Sequence, residues 1–309
     1  MPEPKRRLAA ALTLFGAIGV WLIWFVMVNH HLGQFVDSRA LAGSYIGAWR
    51  VDGGAKTILH TVSMPAAIIF AVLIVLTAWL HGRAHRAIYA TVAVLGANLT
   101  TQVLKHVVFS RPMWGFSERW DGANTLPSGH TTIAATAAVA LVMVTSARWR
   151  PLAAWIGATL AFLMGYSTLV AQWHRPSDVA AALLVAATWG WAMVALGAFN
   201  DHDRLRGKPV MYPEQSHPIA KAARVGTALL GWLALLSLIA SIVVAGIATV
   251  TSGVGIALID HTPASTLPTS WLGDMLWYAT GAGLCLSIAT GMMWSLLYLN
   301  PPPTLPEEF

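Results

Sequence analysis

Residues 124–135 read NTLPSGHTTIAA, a polar, turn-forming cluster set directly against an apolar run that continues to about residue 147. A membrane span needs none of Pro127, Ser128, Gly129 or His130, and Pro and Gly weaken a helix start unless they belong to its cap. Ser128 is a favoured N-cap residue, and Gly129 has no Cβ to keep an incoming group off the backbone. The N–H groups of a first helical turn lack partners within the helix, and the dipole there favours an anion. The stretch therefore reads as the mouth of an apolar helix, shaped to cradle an anion next to the imidazole of His130.

Outward from this point the chain is apolar. Of its 309 residues 56% are hydrophobic and only 10% charged, whereas a soluble domain carries about 25% charged residues. An all-α, polytopic membrane protein is expected. Among the 15 Trp, Trp79, Trp149, Trp173 and Trp271 fall at the ends of apolar runs, where the lipid–water interface favours them. The single Cys285 excludes a disulfide framework and a thiolate metal site. The net charge of +6 is modest, and no nucleic-acid partner is expected.

Crossing about 30 Å of hydrocarbon takes roughly 20 residues of helix. Eight runs qualify, near 8–29, 58–80, 87–108, 131–147, 152–172, 179–199, 225–250 and 271–299. The first follows MPEPKRR and reads as a retained span, being long for a signal peptide and lacking an early small-residue cleavage site. Most Lys and Arg lie in KRR (5–7), HGRAHR (81–86), ARWR (147–150) and the polar stretch 200–224. By the positive-inside rule these segments and both termini face the cytoplasm of a plasma (inner) membrane protein. Loops 30–57, 109–130, 173–178 and 251–270 then face outward. The expected organisation is a six-span core (1–199), a polar linker (200–224), a two-span C-terminal hairpin (225–299) and a Pro-rich tail (300–309). Small residues at Gly283, Ser287 and Gly291 make a seam for close helix packing, expected to meet a second copy or a membrane partner through 271–299.

The outward loops gather an unusual set of side chains. LKHVVFSRPMW (104–114) supplies Lys105 and Arg111, PSGH supplies Ser128, Gly129 and His130, and WHRPSD (173–178) supplies His174 and Asp178. Two spans separate His130 from His174, so both return to one face. Arg as a planar fork and Lys as a point charge suit phosphate oxygens. Asp178 follows His174 by four residues, one helical face apart if the turn is helical, and a carboxylate on one ring nitrogen fixes the tautomer and frees the other for attack. His130 would protonate the leaving oxygen. Loop 30–57 is expected to roof this site, and Glu118, Arg119 and Asp121 to shape a lid or headgroup pocket.

Lys…Arg-Pro, then Pro-Ser-Gly-His, then His-x-x-x-Asp, across six spans, resembles the type 2 phosphatidic acid phosphatase (PAP2) superfamily over roughly residues 58–199. The resemblance implies a six-helix core and a metal- and cofactor-independent membrane lipid phosphatase acting on phosphatidate-, phosphatidylglycerophosphate- or polyprenyl (pyro)phosphate-type lipids. It further implies His174 as the phosphohistidine nucleophile, Asp178 as its orienting partner, His130 as general acid, and Lys105, Arg111, Ser128 and Gly129 as phosphate ligands. Two features depart from the family pattern. One residue fewer separates Lys105 from Arg111, and Ser167-Thr168 stands where the third motif begins Ser-Arg. Arg175 is the expected substitute, one heptad beyond Thr168 if the helix continues. Two other readings stay open: a Ser128–His174–Asp178 hydrolase or acyltransferase, and a non-catalytic lipid-binding scaffold.

Overall fold

The computed structural model describes residues 3–45, 64–80, 83–116, 124–200 and 218–300. Among these every regular element is helical. The helices are α1 (Glu3–Ile23), α2 (31–45), α3 (Met64–Leu80), α4 (Ala84–Val103), α5 (Gly129–Val144), α6 (Arg150–Val170), α7 (Pro176–Ala195), α8 (Pro218–Thr251), α9 (Val254–Asp260) and α10 (Trp271–Leu299). Eight of them occupy the eight apolar runs. Six, counting α1 and α4 with their π-helical ends, are long and apolar enough to cross a membrane among the described residues. The other two, α3 and α5, have 17 and 16 residues. A helix of that length rises about 25 Å. For α5 this suffices because α3, α4, α6 and α7 surround it, so it presents little surface to lipid.

α7 is the axis of the bundle. It touches α1, α4, α5 and α10, and 72% of its most apolar stretch is buried, against 11% for α8 at the periphery. Close approach comes from small side chains: Ala180, Ala181, Ala182, Ala186 and Ala187 of α7 and Ala135, Ala138 and Ala140 of α5 are all buried. With lipid as solvent there is little hydrophobic drive between helices, so such interlocking surfaces hold the bundle by contact. The four span-end tryptophans Trp79, Trp149, Trp173 and Trp271 are all exposed.

Both ends of the bundle are organised by helix termini. At one end basic side chains close the C-terminal carbonyls: Arg83 donates to Val144 O, Arg6 to Ala195 O, Lys5 to Tyr298 O and Arg150 to Asn300 O. Cations are stabilised there by the orphan carbonyls and the dipole. The opposite end collects the N-termini of α5, α7 and α10, and carries the PSGH and WHRPSD segments.

Three expectations change. The 30–57 loop is in part helical: α2 lies across the N-terminal-motif end, and residues 46–57 fall outside the described residues. The linker ends early, since α8 is already helical at Pro218. The small-residue seam is occupied within the chain: Gly283 abuts Ser241 of α8, the Ser287 hydroxyl donates to Ala234 O at 2.8 Å, and Gly291 lies over Ala234. A second copy would need another face. α10 also packs on the core, where a Cβ added at Gly281 would sit 2.5 Å from Pro176 Cβ. Glu118, Arg119, Asp121 and the tail beyond residue 300 lie outside the described residues.

Gly281→Ala is therefore expected to destabilise the detergent-solubilised protein by about 1–3 kcal/mol through overpacking. Gly246→Ala, at an α8 position with nothing within 4 Å, should be neutral or slightly stabilising, since Ala is the better helix former. Thermal unfolding followed by circular dichroism separates the two.

Candidate active site

The site is assembled from three chain segments that meet at the N-terminus of α7. The first is the end of α4, where the last turn widens into a π-helix over Leu104–Val108, closed by Phe109 N–H donating to Leu104 O at 2.8 Å. π-Turns insert an extra residue per turn and redirect side chains, often at functional sites. Lys105 sits on this turn, half-buried, and beyond Val108 the chain is extended, so Arg111 lies off the helix as Pro112 requires. Arg111 then turns inward and is only 9% exposed.

The second segment is the turn before α5. Ser128 caps the helix, its hydroxyl accepting from Thr131 N–H and from the Thr131 hydroxyl at 3.0 Å. One expectation fails here. The Ser128 N–H does not face outward for an anion; it donates to the Asp178 carbonyl at 3.0 Å and so ties α5 to α7. Gly129 and His130, both partly exposed, begin the helix. Asn124, which composition gave no reason to single out, spans the gap to α4: its amide donates toward the carbonyls of Lys105, Phe109 and Leu126.

The third segment is the α6–α7 turn. α6 does not continue to Arg175 as the substitution argument supposed. It ends at Val170, Gln172 takes a left-handed conformation (φ 60°), Gln172 N–H bonds Leu169 O and Trp173 N–H bonds Thr168 O. That pattern is a Schellman cap. Buried Thr168 thus serves the end of α6, and the reversal carries His174 and Arg175 onto the N-terminus of α7.

Asp178, at the third position of α7, joins these pieces. Its Oδ2 accepts from His174 Nδ1 at 3.1 Å, from the Thr125 hydroxyl at 2.7 Å and from Arg175 N–H at 3.0 Å. Thr125 in turn accepts from the Arg175 guanidinium at 3.3 Å. His174 and Arg175 are 8% and 2% exposed, and Asp178 is fully buried. With Nδ1 bound, the other nitrogen of His174 is the one left for chemistry. His130 lies on the same side: its ring centroid is 5.6 Å from that of Trp173, and the fields of His174 and Lys105 both act on it. All eight residues expected at the site therefore stand at one end of the bundle.

The cluster is strongly polar for so buried a place. The charges of Arg175, Asp37 and Asp178 all act on Arg111, whose pKa is pushed down by burial and then by Arg175. Among the described residues none of the three guanidinium nitrogens of Arg111 has a hydrogen-bond partner, nor has Arg175 Nε. Asp37 of α2 was not foreseen. Its carboxylate accepts from the N–H and the hydroxyl of Ser177, and burial, then the charge of Asp178, raises its pKa to about 6. No group of three or more His, Cys, Asp or Glu converges as a metal site would among the described residues.

Replacing Asn124 by Ala should leave the turn before α5 untied from α4. The expected cost is about 1–3 kcal/mol for the unmade bonds, together with faster tryptic cleavage between Lys105 and His130, read by mass spectrometry of the limited digest.

No curated protein and no solved structure matches the chain. The model of the PAP2 superfamily does match, over residues 86–201, from the first turn of α4 to just past α7. That stretch contains Lys105, Arg111, Asn124, Thr125, Ser128, His130, His174, Arg175 and Asp178 in the order and surroundings just described. Over this segment the chain is similar to the PAP2 superfamily.

Proposed function

We propose that the protein is an integral membrane lipid phosphatase that cleaves a phosphate or pyrophosphate monoester through a phosphohistidine. The observation that carries the reading is the Arg111 guanidinium, buried, turned into the cluster beside Arg175, and without a hydrogen-bond partner among the described residues. Burying an unpaired cation is costly, and an incoming phosphate supplies the missing acceptors in the planar fork geometry Arg favours.

The arrangement of these groups supports one sequence of steps. Arg111, Arg175, Lys105 and the N–H of Gly129 hold the phosphoryl oxygens, with Ser128 shaping the turn below them as the cap of α5. His174, its Nδ1 held by Asp178, attacks phosphorus through Nε2; the N–P bond forms as the bond to the lipid oxygen breaks. His130 gives that oxygen its proton. Water then attacks the phosphohistidine, His130 takes the water proton, and inorganic phosphate leaves with His174 restored. An alcohol entering in place of water would make the protein a phosphotransferase.

The basic side chains at the other end of the bundle support a cytoplasmic location for that end, and hence an extracytoplasmic site, with the lipid chain among the helices and the headgroup at the surface. The Ser–His–Asp reading is weakened by Ser128, which is fully buried and engaged with Thr131 as a helix cap. The scaffold reading leaves unexplained why a cation, two imidazoles and a tautomer-fixing carboxylate converge.

Purified protein in detergent with EDTA, given a panel of lipid phosphates and pyrophosphates, should release phosphate and be inhibited by orthovanadate. His174→Ala is expected to remove at least about 10³-fold of the rate, as loss of a nucleophile does. Arg175→Ala should lower kcat/KM about 10- to 100-fold, the cost of one charge-assisted contact in a dry site. Release untouched by His174→Ala rejects the mechanism, and full activity in Arg175→Ala rejects its place in the cradle.

A further inference from the structure

Most of the buried polar groups at this end of the bundle have a place in the reaction just proposed, but Asp37 has none. It comes from α2, outside the segment that matches the family model, and its side chain is 1% exposed. An ordinary helix-capping acid belongs to its own helix and faces water. Asp37 instead reaches α7 from 140 residues away and takes two donors of one residue, Ser177, at the second position of that helix. Ser177 lies between Pro176 and Asp178, one residue before the carboxylate that orients His174.

α2 meets the α6–α7 turn along one face. Positions 37, 41 and 44 recur at helical spacing, and each is used: Asp37 holds Ser177, the Leu41 carbonyl accepts from the Gln172 amide at 3.1 Å, and the Ser44 hydroxyl donates to Leu169 O at 3.0 Å. Gln172 is the left-handed residue that reverses the chain before His174. The neighbouring face is fastened to α10. Arg39 makes a bidentate pair with Asp274, both contacts 2.6 Å, and Gly43 lies against the Asp274 backbone so closely that a Cβ would collide. α10 thus holds α2, and α2 holds the turn that carries the nucleophile.

The charges facing Asp37 are of both signs. Asp178 and Arg175 face it from the start of α7, Arg111 from the segment after α4, and the Cys285 thiol from α10. Two buried guanidiniums are offset by two buried carboxylates, of which only Asp178 touches His174.

Resting on the phosphatase reading above, we propose that Asp37 is a positioning residue of the phosphate site. Through Ser177 it fixes the first turn of α7, and with it the His174–Asp178 pair, and its charge offsets Arg111 and Arg175 so that phosphate is held without being trapped. The C-terminal hairpin takes part by keeping α2 in place.

The test uses the full-length protein in detergent micelles containing a lipid phosphate monoester and EDTA, with kcat, KM and orthovanadate inhibition measured from pH 5 to 8. In Asp37→Asn, kcat should fall about 10- to 100-fold, the scale of a small misplacement of reacting groups, while KM and the vanadate inhibition constant stay level or drop, since a negative charge beside the anion is gone. The wild-type rate should gain a component that rises through about pH 6 as Asp37 ionises, and Asp37→Asn should lack it. Because burial raises the Asp37 pKa to about 6, stability falls as pH climbs from the ordinary carboxylate range up to that value and stays lowered above it, so the variant should keep or raise its thermal midpoint at pH 8. Ser177→Ala should give a smaller loss of kcat that does not add to that of Asp37→Asn.

Unchanged kcat in Asp37→Asn overturns the proposal while leaving the phosphatase reading intact. So does a parallel collapse of kcat, vanadate affinity and thermal midpoint, which marks a merely structural acid. If Asp37→Asn does not fold, the Ser177→Ala split between kcat and KM decides alone. Wild-type protein that neither releases phosphate nor is inhibited by vanadate overturns the phosphatase reading, and Asp37's role with it.

Discussion

One carboxylate oxygen holds the site together. Asp178 Oδ2 accepts from a histidine ring, a threonine hydroxyl and a backbone N–H, each from a different part of the chain or of the turn, and the carbonyl of the same residue accepts from Ser128. Without it, the polar link left between the α5 turn and the α6–α7 turn is the Arg175 guanidinium on the Thr125 hydroxyl. Burying a carboxylate fully is favourable only when its lone pairs are satisfied, and here three donors converge on one oxygen while Oδ1 has no partner among the described residues. The arrangement commits the charge to His174, Thr125 and the Arg175 N–H. It also explains why the histidine precedes the helix instead of lying on it: the i, i+4 pair closes across the N-cap, where Arg175 is extended, and the ring projects from the helix end.

The polarity of the bundle follows from the same physics applied at longer range. α5, α7 and α10 run in one direction, and their C-terminal carbonyls are each met by a basic side chain from another helix. Their N-termini collect at the other end, where Ser128, Asp178, Asp37 and Ser270 act as acceptors. Helix ends in a membrane have little water to complete their hydrogen bonds, so polar residues were bound to gather at both surfaces. What distinguishes the two ends is the sign of the residues recruited. At the basic end the cations serve helix carbonyls. At the other end the buried Arg111 guanidinium has no hydrogen-bond partner among the described residues, which is the place an anion would fit.

Much of this was legible in the sequence because it is local or periodic. The eight apolar helices lie on the eight apolar runs, the PSGH stretch begins a helix with Ser128 as its cap, and the four-residue step from His174 to Asp178 closes as a hydrogen bond. Features set by partners across the fold were not. Nothing near Ser128 announces that its N–H will be taken by Asp178, and nothing near Asn124 announces three carbonyls from separate places. α2 left a faint trace: Leu32, Phe35, Ala40 and Leu41 are buried at helical intervals, with Asp37 set among them. Between two spans such a pattern reads as loop, since a loop is not expected to be buried. The seam at Gly283, Ser287 and Gly291 was visible as a packing surface, but small residues do not say which helix they meet, and α8 of the same chain met them.

Thr168, where the family pattern has an Arg, is used in this chain to build the turn before His174. In this chain Thr168 is buried, its hydroxyl donates to Gly165 O at 2.7 Å, and its carbonyl closes the cap that turns the chain toward His174. The guanidinium comes instead from Arg175, beyond that turn and anchored by Thr125. A cation on the N-cap of α7 is tied to His174 rather than to the end of α6, so anything that shifts this turn shifts both together. α2 binds that turn at Gln172 and at Ser177, on either side of His174 and Arg175. α2 therefore bears on the placement of His174 and Arg175 together, and under the proposed phosphatase reading it belongs to the phosphate site.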